Sequence, residues 1–75
     1  MKNYSSFISI DPEIRFGKPC IKGTRIAIAD ILQWLASEMT YDEILSDHPQ
    51  LNMDHILAAL HFAANRETTI KIIAA

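Results

Sequence analysis

Both glycines of this 75-residue chain, Gly17 and Gly23, fall within the eleven residues "FGKPCIKGTRI", Phe16 to Ile26, and after them the one remaining backbone breaker is Pro49. Glycine reaches left-handed geometry without a steric penalty, and proline stops helices and ladders. The tight turns therefore belong to the N-terminal third, and the rest of the chain is free to be helical on either side of Pro49. Within the N-terminal third, Ile8, Ile10, Ile14 and Phe16 alternate with Ser9, Asp11, Glu13 and Arg15. This is strand periodicity interrupted at Asp11-Pro12, a turn signal. Short extended pieces are expected around Ile8–Ile10 and Pro19–Ile21, with Gly17 and Gly23 at the turns flanking the second.

Ile28, Ile31, Leu32, Leu35 and Met39 repeat at helical spacing, with Asp30 placed in the first turn. Trp34 lies off that stripe, as a half-buried lid or a contact with another chain. Thr40-Tyr41-Asp42-Glu43 predicts a capping box at the start of a second helix that ends near Asp47, ahead of Pro49. Asn52 is a second N-cap, opening a helix of about thirteen residues through Ala64 or beyond, with Met53, Ile56, Leu57, Leu60 and Ala64 on its core stripe. A short helix, the turn "HPQLN" and a longer helix form a plausible helix-turn-helix, although any two packed helices can read this way. Ala58, Ala59, Phe62 and Ala63 make a second apolar face on the third helix. It suits a symmetric dimer, or it receives the N-terminal ribbon of the same chain. The expected fold is one mainly α domain over 1–75: a β-ribbon segment at 8–27, three helices at 28–67 with helices 2 and 3 helix-turn-helix-like, and a tail at 68–75. "TTIKIIAA" extends the helix, pairs as a strand or waits for a partner. Its isoleucines need cover, which makes Ile70, Ile72 and Ile73 candidate partner contacts beside Trp34, Ala58 and Phe62.

A chain this short builds a core worth only about 3–5 kcal/mol, so association with a second copy is a natural source of stability. Cys20 is the single cysteine and cannot pair internally, which fits a reducing, cytoplasmic setting. The apolar stretch Ile26–Ala36 is broken by Asp30 and Gln33 and is too short to span a bilayer, so a soluble protein with no membrane partner is expected. The net charge of −2 hides an asymmetry. Residues 1–28 carry five basic side chains against two carboxylates, +3, and residues 29–75 carry two against seven, −5. Any anion would be met by the N-terminal segment.

Catalytic chemistry finds little support. Gly23 is followed by Thr24 where a phosphate loop needs Lys. His55 and His61 are about 240° apart around a helix and cannot share a metal as residues at i and i+4 do, and Cys20 lacks a C-x-x-C companion. No carboxylate pair forms an acid–base couple. Neither an enzyme nor a cofactor is expected.

The stretches "ISIDPEIRFGKPCIKGTRIAI" and "ILQWLASEMTYDEILSDHPQLNMDHILAALHFAANRE" cover most of the chain. They resemble the bacterial and archaeal family known as domain of unknown function 433, and "GKPCIKGTRI" is the most specific part. That family resembles winged-helix and homeodomain-like DNA binders, and its members often look like antitoxins of type II toxin–antitoxin pairs. The resemblance implies a homodimeric antitoxin that represses its own operon and neutralises a small PIN-like ribonuclease toxin. The chain departs from the pattern at Glu38, usually Gly, where left-handed geometry would cost a Glu about 1–2 kcal/mol, and a differently wound junction would avoid that cost. It also departs at Cys20, usually Val or Ile, and at Ala27, often Pro.

With that implication, the basic residues Arg15, Lys18, Lys22 and Arg25 become candidate DNA contacts. Gly23, Thr24 and Arg25 would offer amides, a hydroxyl and a guanidinium to one phosphate. Asn52, His55 and Ala59, early in the third helix, are the candidate base readers. Two alternatives stay open: Arg25 pairs internally with Glu43 or Asp47, or the protein is an interaction and dimerisation module with no DNA role, docking through its tail.

Overall fold

The computed structural model describes residues 3–74, with side chains through Asn65. Among the described residues it is a mainly α, three-helix domain preceded by a short β hairpin. A 3-10 turn, Tyr4–Phe7, is capped by Asn3, whose Oδ1 accepts from the Ser5 amide at 3.2 Å. It leads into β1 (Ile8–Ser9), which pairs antiparallel with β2 (Cys20–Ile21), Ile8 opposite Ile21. After β2 the chain reverses, and the Thr24 amide donates to the Ile21 carbonyl at 3.0 Å. Gly23 sits at the third position of that turn with φ +81°, a place reserved for residues that tolerate positive φ. The returning strand bonds back: Ile21 N donates to Ile26 O at 2.9 Å, and Ala27 bridges Cys20.

Helix α1 (Ile28–Ala36) starts where Asp30 Oδ2 accepts the Ala27 amide at 3.1 Å. A proline at position 27 would have no N–H to give that bond. The helix ends in a Schellman motif: Glu38 N donates to Leu35 O and Met39 N to Trp34 O, with Glu38 at φ +68°. The junction is thus wound as a glycine would wind it, on a glutamate. Helix α2 (Tyr41–Asp47) opens with the expected capping box, Glu43 N to Thr40 Oγ1 at 3.1 Å and Thr40 N to Glu43 Oε1 at 2.9 Å. The Thr40 amide, and next its hydroxyl, hold the Glu43 carboxyl below its ordinary value.

Residues 48–52 turn the chain into α3 (Met53–Ala74). The helix runs past Ala64 and takes in the tail as far as Ala74, the first of the three alternatives for that segment. Nothing between Ala64 and Ala74 is a glycine or proline, and the β-branched residues of the tail oppose a helix only weakly. The expected partner contacts Ile70, Ile72 and Ile73 lie outside the described side chains.

The core joins the hairpin to all three helices. Ile21, Ile31, Ile44 and Ile56 are wholly buried, closed over by Ile28, Leu51 and Ala59. The second face of α3 is covered from within: Tyr4 stacks on His61 at 4.5 Å and Phe7 meets the edge of His55 at 5.6 Å. Ala58 is fully buried there, its small side chain allowing the N-terminal segment to come close. No helix among the described residues is long and apolar enough to cross a membrane.

Candidate nucleic-acid interface

Three turns converge on one open cleft, lined by Ile14, Gly23, Thr24, Arg25, Ile26 and Gln50. The Gly23–Arg25 turn supplies three of the lining residues, and Gln50 comes from the connection between α2 and α3. The third contributor is the loop after β1, which ends in a left-handed turn: Arg15, Phe16 and Gly17 have φ of 52°, 58° and 84°. Arg15 anchors this loop. Its Nη1 lies 2.9 Å from Asp30 Oδ2 and donates to the Arg25 carbonyl at 2.8 Å. The hydrogen bond from Arg15 is the main reason the Asp30 carboxyl sits below its ordinary value; the Ala27 amide adds to it and partial burial opposes it. One carboxylate therefore caps α1 and, through Arg15, fixes the backbone at Arg25.

The expected DNA-contacting residues divide by what they already hold. Arg15 is committed to Asp30 and to the Arg25 carbonyl. The Thr24 hydroxyl is spent inside its turn, donating to Ile21 O at 2.9 Å and accepting from Ile26 N at 3.0 Å. Lys18, Lys22 and Arg25 are exposed and form no ion pair among the described residues; in particular Arg25 does not meet Glu43 or Asp47. The amides of Gly23 and Arg25 also lack an internal partner among the described residues.

On α3 the candidate base readers are held elsewhere. Asn52 and His55 cap each other: His55 N donates to Asn52 Oδ1 at 3.3 Å and Asn52 N to His55 Nδ1 at 3.1 Å. Ala59 is fully buried in the core and presents no surface. Of the candidate partner contacts, Trp34 is half-buried and stacks on His48 at 4.1 Å, and Phe62 is half-buried against the core. Phe16 and Gln50 escaped the sequence reading. Past Asp11-Pro12 the alternation through Ile14 and Phe16 predicts no strand and no site, and the left-handed turn points Phe16 outward with 99% of its surface exposed. Among the described residues no three His, Cys, Asp or Glu side chains gather to hold a metal.

Residues 8–63, from β1 into α3, match the family described as "Protein of unknown function (DUF433)". The chain belongs to the DUF433 family. A crystal structure of a DUF433 member protein from Anabaena variabilis superposes with a TM-score of 0.75 at 27% identity, over 92% of this chain and 69% of that one. No curated protein matches. The DUF433 region includes the whole cleft and stops before the segment that carries Ile70, Ile72 and Ile73.

Proposed function

We propose that this DUF433 chain is an antitoxin-type DNA-binding protein that acts as a homodimer, represses its own operon and neutralises a PIN-like ribonuclease. The observation carrying the DNA half is the Gly23–Arg25 turn. It presents an unpaired guanidinium and two unpartnered amides at the edge of a cleft, next to the unpaired Lys22. Backbone amides and a guanidinium around one concavity are what a phosphate takes up. The +3 charge of residues 1–28 draws a polyanion to this side of the molecule. With Asn52 and His55 engaged in a cap and Ala59 buried, Gln50 is the polar side chain left on the cleft wall to reach a base edge. Backbone contacts therefore outweigh base reading in this proposal. The antitoxin half and the homodimer rest on the family resemblance alone, since the α3 face that suited a second copy is covered by Tyr4 and Phe7 of the same chain.

A second reading, a protein-interaction module without a DNA role, draws on α2, where Asp42, Glu43 and Asp47 are all exposed. Such an acidic face complements a basic nuclease, and an antitoxin uses both surfaces. Gel-shift titration with the DNA upstream of its own coding sequence tests the first half. Co-expression with a PIN-like ribonuclease encoded beside it tests the second, with rescue of arrested growth expected. A shift without rescue leaves a DNA-binding protein, rescue without a shift leaves the interaction module, and neither result contradicts both.

A further inference from the structure

Phe16 is the most exposed large apolar side chain among the described residues, and its backbone is held at φ +58° between two other left-handed residues. For a bulky residue this geometry is unfavourable, and it persists only where the surroundings enforce it. Here Arg15 does so, through Asp30 and the Arg25 carbonyl. A ring that packs on nothing among the described residues and sits on a braced, strained turn is displayed for something outside it.

The neighbouring charges narrow what that something is. Lys18 follows two residues later, and the carbonyl that Arg15 grips belongs to Arg25, so two unpaired cations flank the turn. From residue 14 to residue 29 the chain carries four basic side chains and no carboxylate. A protein partner would need an apolar pocket for the ring and, separately, carboxylates placed to meet that charge. Nucleic acid offers both parts, flat apolar bases within a charged backbone. One aromatic on a braced backbone suits insertion at a single base step; a single-strand platform stacks successive bases on several rings.

We propose that Phe16 is a wedge that enters the minor groove of duplex DNA and unstacks one base step, while Lys18 and Arg25 hold the adjacent phosphates. The proposal rests on the DNA-binding reading above and adds to it a deformation of the duplex. Pyrimidine–purine steps unstack most easily, so the wedge favours a TA step over a stiff A-tract.

The test uses the full chain and short duplexes with 2-aminopurine beside a central TA step or within an A-tract. Wild-type protein is expected to bind the TA duplex more tightly and to raise 2-aminopurine emission as the base unstacks. Phe16→Ala removes the ring and is expected to weaken binding about 5- to 150-fold, abolish the emission rise and leave the salt dependence unchanged. Phe16→Trp should restore the emission. Phe16→Asn, better suited to left-handed geometry, should stay folded and behave as the alanine variant does. If wild type binds and Phe16→Ala matches it in affinity and emission, the wedge is overturned and the DNA reading stands. If wild type binds no duplex, the DNA reading fails and the wedge with it.

Discussion

Glu38 occupies the left-handed position of a Schellman motif, and replacing it with glycine should stabilise the protein. The side chain is exposed, and among the described residues only its backbone is bonded, N–H to the Leu35 carbonyl at 3.0 Å. Left-handed geometry costs a residue with a Cβ about 1–2 kcal/mol. Glycine removes that cost but gives back about 0.5–1 kcal/mol through its greater freedom in the unfolded chain. The net gain for Glu38→Gly lies between about 0 and 1.5 kcal/mol, and its mid-range of about 0.75 kcal/mol corresponds to a rise in Tm of about 3–6 °C for a domain this size. Glu38→Ala separates backbone from side chain: it loses the same carboxylate yet keeps the Cβ, and should melt close to wild type. Thermal unfolding of the three proteins followed by circular dichroism gives the answer. Equal shifts for Gly and Ala would show that the carboxylate, not the backbone, sets the effect. A lower Tm for Glu38→Gly would refute the strain argument outright.

The core and the Asp30 tie give further expectations. Ile31→Ala removes a wholly buried side chain at a cost of about 2–5 kcal/mol, comparable with the whole stability of a domain this small, so urea titration should find it largely unfolded without denaturant. Asp30→Ala removes the α1 cap and the anchor of Arg15. After discounting the part-exposed ion pair, the loss is about 1 kcal/mol, measurable as a lower urea midpoint. Because folding depresses the Asp30 pKa, its contribution is complete above the ordinary carboxylate range. It disappears as pH falls from that range through the lower folded-state value. Wild type should therefore lose more stability than Asp30→Asn across that acidic interval; parallel loss would contradict the tie.

What the sequence made legible was mostly local. Thr40 with Glu43 and the Asn52 cap are signals three residues apart, and both helices start where those signals stand. Glu38 was readable as a departure, but whether the junction would rewind or bear the strain depended on Met39 and Trp34 closing the same motif. The partner of the Ala58 face was not readable, since burial demands cover without saying from which chain. Tyr4 and Phe7 supply it through ring contacts more than fifty residues away along the chain or nearly so. Phe16 could not be placed from the sequence, because alternation carries meaning only within one strand. Past Pro12 the loop re-aims its side chains, and the turn at Arg15–Gly17 breaks the parity. In the candidate site, the basic residues were visible as charge. Their division into engaged Arg15 and unpaired Lys18, Lys22 and Arg25 depended on where Asp30 stood, a long-range fact.

The central claim, that the Gly23–Arg25 turn holds a DNA phosphate, is tested most directly by the salt dependence of duplex binding. Affinities of wild type and Arg25→Ala for one duplex, measured by fluorescence anisotropy over a salt series, give the slope of log K against log salt. Losing one phosphate contact should flatten that slope by about 0.9 and weaken binding to all duplexes alike. An unchanged slope in a folded Arg25→Ala protein would contradict the claim and remove the Arg25 guanidinium from the interface.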